Sequence, residues 1–252
     1  MILKSRGFTL LELIVVIAII GVLSVIALPT FKNALARAND TKIKQFALTL
    51  DKKNDITSKY DFEEGAGLVT KDSNIYVQNN LTIPGSGVSY STDTYASSSF
   101  YSLYFDGTNY LTSQANTGPS LDNKSFSISF WFKMNTNADV CMIQKGVFNT
   151  REMISVCYYL DSIFISAVTP YSNFAYKVSP QQWHHFVMSF DSSSYLAVVY
   201  VDGIKAGQMN LGGVINNTNN YPLLVGRYPN GTYTYSGYID DLRFYEGQVI
   251  VR

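Results

Sequence analysis

A carboxylate stands where one is costly. Glu12 lies inside Phe8 to Leu28 (FTLLELIVVIAIIGVLSVIAL), a run of 21 residues in which no other side chain is charged. Near the centre of such a run, in a bilayer, an acid costs roughly 2.5–3.5 kcal/mol, and less near an edge where it can snorkel. The residues alone offer it one role, reaching water at the membrane edge, and the cost calls for a further reason. Glycoside hydrolysis needs two carboxylates converging on one bond. Asp61, Glu63 and Glu64 come closest, but they lie at the very start of the domain, where a Gly turn follows. His184 and His185 are adjacent, so on a strand they face opposite ways and at most one faces a given cleft. The sequence has no Gly-rich phosphate loop and no His/Cys metal cluster, and it reads as a protein that is not an enzyme.

The elements that position these groups differ between the two ends of the chain. As a helix rising ~1.5 Å per residue, Phe8 to Leu28 is long enough for a ~30 Å hydrocarbon core. Lys4 and Arg6 precede it and the next basic residue is Lys32, which predicts a cytoplasmic N-terminus and an exported remainder. A secretory signal ending at Val25-Ile26-Ala27 is the alternative. Gly21 and Pro29 should interrupt the helix, with a kink or local melting between them. From Phe31 to Leu50, Phe31, Leu35, Ala38, Ile43, Phe46, Ala47 and Leu50 recur every three to four residues, an amphipathic stripe. The polar cluster Asp51 to Lys59 reads as the helix end and a short linker at 54–59.

Beyond it the period becomes two: Phe126, Ile128, Phe130 and Phe132 share one face, Ser125, Ser127, Ser129 and Trp131 the other. Phe186, Met188 and Phe190 repeat the pattern, and Asp106-Gly107 and Asp202-Gly203 supply turns. The expected fold class is α+β, a long N-terminal helix followed by an antiparallel β-sandwich over 60–252. With 19 basic against 19 acidic side chains and a pI near 6.7, no field recruits nucleic acid.

In the last strand, Leu242 and Phe244 facing inward would put Asp240 inward too, while Glu64 shares a face with Phe62. Such buried acids need neutralising; Ca²⁺ held by Glu64 and Asp240 is one solution, partial exposure with backbone donors the other. Cys141 and Cys157 flank an expected hairpin turning near Asn149-Thr150, close enough for a disulfide in an exported domain, or for two buried thiols. Trp131 and Trp183 read as packing residues; Tyr171, Tyr176, Tyr221, Tyr228, Tyr233 and Tyr235 read as candidates for an exposed adhesive surface.

Lys4-Ser5-Arg6-Gly7 followed by Phe8-Thr9-Leu10-Leu11-Glu12-Leu13 resembles the processing site of bacterial type IV prepilins. The resemblance implies a leader, 1–7, cut between Gly7 and Phe8 by a prepilin peptidase, N-methylation of Phe8, and a mature helix over 8–53. It also implies that Glu12 offsets the Phe8 cation of a neighbouring subunit. The partners it implies are identical subunits in a helical filament and the inner-membrane pilus assembly machinery. The chain would begin as an inner-membrane precursor and end in an extracellular pilus. The motifs Tyr60-Asp61-Phe62-Glu63-Glu64-Gly65-Ala66-Gly67, Leu103-Tyr104-Phe105-Asp106-Gly107, Trp183-His184-His185-Phe186-Val187 and Gly237-Tyr238-Ile239-Asp240-Asp241-Leu242-Arg243-Phe244 together resemble the laminin G-like, concanavalin A-like jelly roll. That resemblance implies a possible glycan or surface-protein ligand, no obligatory cofactor, and calcium near the first and last strands of some relatives.

Overall fold

A computed structural model describes residues 9–53, 55–74, 79–114, 117–146, 153–166, 172–174, 176–216, 220–228 and 231–248. The leader, the Gly7–Phe8 junction, the Asn149-Thr150 turn and Tyr171 lie outside the described residues. The chain divides into two compact units, Met1–Gln45 and Phe46–Arg252.

The first element, α1 (Leu10–Lys53), opens on a capping box. The Glu12 amide donates to Thr9 Oγ1 at 3.3 Å, and Glu12 Oε2 accepts from the Thr9 amide at 2.8 Å. The helix is unbroken through Gly21 and Pro29, so the melting expected there is absent in the isolated chain. Proline forfeits a single N–H bond, and the turns on either side carry the helix across it. Side chains of the apolar run are described only as far as Ser24, and among the described residues no helical stretch is long and apolar enough to cross a membrane.

Among the described residues sixteen strands follow: β1 (Asp55–Tyr60), β2 (Val69–Thr70), β3 (Leu81–Thr82), β4 (Val88–Ser91), β5 (Ser102–Asp106), β6 (Leu111–Ser113), β7 (Phe126–Met134) and β8 (Val140–Gly146). The remainder are β9 (Met153–Tyr159), β10 (Ser162–Ser166), β11 (Ser172–Phe174), β12 (His184–Asp191), β13 (Leu196–Val201), β14 (Ile204–Asn210), β15 (Leu223–Val225) and β16 (Ser236–Glu246). They form two antiparallel sheets. One runs β14-β13-β12-β7-β16-β5-β4 with β1 also on β16; the other runs β11-β10-β9-β8-β15-β6-β3-β2. Between them lies the core, to which β7 contributes Phe126, Ile128, Phe130, Phe132 and Met134, as the alternation requires.

The stretch expected as a linker is instead β1, paired with the second half of β16 from Asp55↔Glu246 to Tyr60↔Leu242. Its polar composition hid a strand whose buried positions are Ser58 and Tyr60, while Lys59 points to Asp61 at 3.2 Å. Asp202 and Gly203 both take positive φ and close the β13–β14 hairpin. Asp106-Gly107, by contrast, leads from one sheet to the other.

The outer face of the first sheet is partly covered. Phe46 and Leu50, from the end of α1, pack with Val187, Tyr245, Ile56 and Tyr200 there. Residues between β4 and β5 cover its middle, where Tyr95 stacks on Trp131 with ring centroids 4.3 Å apart.

Candidate functional site

At the start of α1 the chemistry is spare. Glu12 is exposed and its carboxylate also takes the Thr9 hydroxyl at 2.8 Å. Leu11, Val15 and Val16 form a shallow apolar groove around it. Leu10 is 77% exposed and Leu11 73%, with Ile14, Ile17, Ile20 and Leu23 also open. So much apolar surface on one helix needs a second apolar body against it.

The second cluster lies on the outer face of the first sheet. Asp240 was expected inward, beside Leu242 and Phe244. The register of β16 against β7 shifts between Asp240 and Arg243, with Asp241 at φ 50°, and this bulge inverts the alternation. Asp240 therefore pairs with Trp131 on the outer face while Leu242 and Phe244 still reach the core.

Asp240 is nonetheless only 1% exposed, beneath the segment carrying Tyr95 and Ser99. Ser99 Oγ is shared between Glu63 Oε1 at 2.7 Å and Asp240 Oδ2 at 3.2 Å. Glu63 also caps the amides of Phe100 and Tyr101. Asp241 takes the guanidinium of Arg243 in a two-point ion pair, 2.8 and 2.6 Å, and accepts from Tyr95 Oη at 3.2 Å. Burial, then the neighbouring Asp241 charge, pushes the Asp240 carboxyl up to about 9. Burial raises Asp241 to about 6, with the Lys59 charge opposing the rise. Of the two adjacent acids, Asp240 is therefore the one whose environment favours the proton, and Asp241 the one whose charge the Arg243 guanidinium meets.

Glu64 is elsewhere in this network. It accepts from Thr70 Oγ1 at 3.2 Å, the Lys71 amide at 2.6 Å and Tyr90 Oη at 3.2 Å, and shares no described partner with Asp240. Ca²⁺ takes six to eight oxygens. Glu64 and Asp240 are not gathered for that, and among the described residues no group of three or more His, Cys, Asp or Glu side chains could hold a metal ion. The orphaned Asp240 Oδ1 lies instead in a row with Trp131 and His185, whose Nε1 and Nδ1 also lack a described partner.

His184 and His185 do face opposite ways. His184 Nδ1 meets Asp202 Oδ2 at 2.7 Å and its Nε2 meets the Ser179 carbonyl at 3.0 Å. His185 sits on the outer face between Trp131 and Phe46, its Nε2 2.8 Å from Ser129 Oγ, and burial lowers its pKa to about 3. Cys141 and Cys157 are register partners on β8 and β9, Cα atoms 4.0 Å apart, and are joined as a disulfide. Of the tyrosines expected at an adhesive surface, Tyr233 is exposed and Tyr176 and Tyr221 half-buried, but Tyr228 and Tyr235 are buried. Tyr235 Oη donates to the Tyr238 carbonyl at 3.0 Å, so it packs the core rather than the surface.

The Tyr95–Trp131 stack, the Glu63–Ser99–Asp240 contact and the Asp241–Arg243 pair escaped sequence reasoning. The adjacent acids Asp240-Asp241 were the one available signal, since a doublet cannot keep a period of two with both acids outside the core.

Residues 105–249 match the family described as the Concanavalin A-like lectin/glucanases superfamily, and residues 2–28 match the Prokaryotic N-terminal methylation motif. The fimbrial protein EcpB of Eikenella corrodens is 50% identical over 40 residues, 16% of this chain and 25% of that protein. The type IV major fimbrial protein FimA of Dichelobacter nodosus is 47% identical over 39 residues, with the same coverage of 16% and 25%. The chain thus aligns with about a quarter of the length of these relatives. In the fold, domain 4 of AbnA, an extracellular arabinanase of Geobacillus stearothermophilus solved with arabinotriose, superposes with a TM-score of 0.62 at 18% identity, covering 78% of this chain and 95% of that one. The match over more than half its length, on an antiparallel sandwich preceded by a methylation-motif helix, makes this chain a member of the concanavalin A-like lectin/glucanases superfamily.

Proposed function

We propose that the chain is a structural subunit of a type IV pilus or related surface filament, polymerised through α1 and displaying the β-sandwich for adhesion or surface interaction. The observation that carries this reading is the methylation motif over residues 2–28, shared with fimbrial relatives over the same helix. On it, a prepilin peptidase cuts between Gly7 and Phe8 and methylates Phe8. The precursor waits in the inner membrane with its N-terminus cytoplasmic, held by Phe8 to Leu28. On assembly the exposed residues from Leu10 to Leu23 are buried against other copies, and the Glu12 carboxylate meets the Phe8 cation of a neighbour. In the isolated chain Glu12 caps its own helix, so the same oxygens serve the free subunit and then the filament.

The role is non-catalytic and needs no cofactor. Glu63 and Asp240 do approach a common hydroxyl, but Asp240 is closed off beneath Tyr95 and Ser99, so no substrate reaches the pair. A second reading, a minor pilin or pseudopilin whose jelly roll binds a glycan or protein, is favoured by the size of the sandwich against the short stretch shared with fimbrial relatives. Copy number separates the two: abundant filaments of this protein for a major subunit, trace amounts for a minor one. Glu12→Ala tests assembly directly. Electron microscopy should show sheared filaments lost, with membrane-bound subunit still present; undiminished fibre growth would overturn the proposal.

A further inference from the structure

Past Glu246 the chain leaves β16 and turns onto the outer face of the first sheet. Gly247 takes a φ of 91°, its amide donates to the Ser125 carbonyl at 2.9 Å, and its own carbonyl accepts from Ser127 Oγ at 3.0 Å. Ser127 on β7, Ser189 on β12 and Val198 on β13 are register partners in turn, and the chain crosses β7 in the direction of this row. Gln248, the next residue, stands at the edge of a groove of about 260 Å³ on β12 and β13.

Ser189 and Asp191 of β12 line that groove together with Leu196, Val198 and Tyr200 of β13. The three β13 side chains alternate with Ala197, Val199 and Val201, which enter the core, so they belong to the outer face, and each is half-buried. Tyr200 also packs with Phe46 and Leu50, so the groove begins where the cover from the end of α1 stops. At the hairpin end stands Asp191, whose carboxylate takes the Ser194 hydroxyl at 2.7 Å and the Ser193 amide and hydroxyl at 2.9 and 2.7 Å. Those bonds, the Ser194 hydroxyl first, hold its carboxyl below the usual carboxylate range. Among the described residues no lysine or arginine pairs with Asp191. An apolar trough ending in an ionised carboxylate suits an extended aliphatic segment that finishes on a cation.

The sequence past Gln248 is Val249-Ile250-Val251-Arg252. We propose that this segment docks in the groove, with its aliphatic side chains on Leu196 and Val198 and the Arg252 guanidinium on Asp191. The order of chemistry agrees: three aliphatic residues and then a cation, against an aliphatic floor and then an acid. The reach agrees as well. Four extended residues cover about 13 Å, and Asp191 lies two residues along β12 from Ser189, about 7 Å. β-branched Val249, Ile250 and Val251 favour the extended backbone that such a path needs. Docking continues the cover begun by Phe46 and Leu50 and leaves no open apolar trough on this face to attract a second copy. The proposal does not depend on the filament reading.

The test is cysteine crosslinking in the full-length protein in detergent. Ile250→Cys is combined in turn with Val198→Cys, with Leu196→Cys and, as the distant control, with Thr82→Cys on the second sheet. After mild copper-catalysed oxidation, peptide mass mapping separates new bridges from Cys141–Cys157, and dilution separates bridges within a chain from bridges between chains. Position 250 should link to 198 or 196 within one chain and not to 82. Arg252→Glu should slow that link by about 1.4- to fivefold, the worth of an exposed ion pair, and adding Asp191→Lys should restore it. Failure of both groove pairs to link, links only between chains, which would seat a second copy there, or a rate indifferent to the charge reversal overturns the proposal. Unchanged melting temperatures of the uncrosslinked variants confirm that folding is not what is being read.

Discussion

Replacing Asp240 by Asn isolates the cost of keeping an acid under the Tyr95 segment. The wild-type carboxyl is pushed from 3.8 up to about 9, mainly by burial and then by the Asp241 charge. Its folded pKa is raised, so the folded state binds the proton more tightly than the unfolded chain. The stability linked to Asp240 is therefore greatest below about pH 4 and is lost progressively as pH rises towards 9. At about 1.4 kcal/mol per pH unit, the deficit at neutral pH is at most about 4 kcal/mol. Asn keeps the shape and can accept from Ser99, but does not titrate. Its amide leaves an unpartnered donor where Asp240 Oδ1 already lacks a described partner, a cost of about 1–3 kcal/mol. The variant should match or trail wild type near pH 4 and exceed it by up to about 3–5 kcal/mol near pH 8. Guanidinium unfolding of the full-length protein in detergent, at about pH 4, 6 and 8 with and without EGTA, reads this. Parallel wild-type and variant stabilities across that range would refute a protonated Asp240, and a wild-type loss on adding EGTA would show a cation doing the neutralising.

Two further outcomes follow from the same geometry. With a sequence separation of 16, reduction of Cys141–Cys157 should cost about 3 kcal/mol, lowering the melting temperature by about 6–12 °C; alkylation without reductant should add no mass, and modification of both thiols would contradict the bridge. His185, whose pKa burial lowers to about 3, should stay neutral by NMR at pH values where free imidazole is charged. Its linked stability is full above about pH 6.5 and falls as pH drops towards 3; a His185 resonance titrating near 6.5 would contradict its burial.

How much was legible depended on the range of the interaction. Glu12 within an apolar run, and the alternation of Phe126 to Phe132, are local facts, and local periodicity reports them faithfully. Cys141 and Cys157 were legible because a hairpin makes sequence symmetry into proximity. The face of Asp240 was misread because a bulge changes phase by a single residue, and nothing in Leu242 or Phe244 announces it. β1 was misread because an edge strand beside charged neighbours buries only Ser58 and Tyr60 and so looks polar. The cover over Trp131 was not legible at all, since Tyr95 reaches it from a connection without period.

The claim on which the account stands is that Glu12 is retained to meet a cation created by cutting the chain beside it. The most direct measurement is the N-terminal residue and mass of the mature protein recovered from sheared surface material. The account predicts a chain beginning at Phe8 with a methylated α-amine; a chain beginning at Met1 or Leu28 would contradict it.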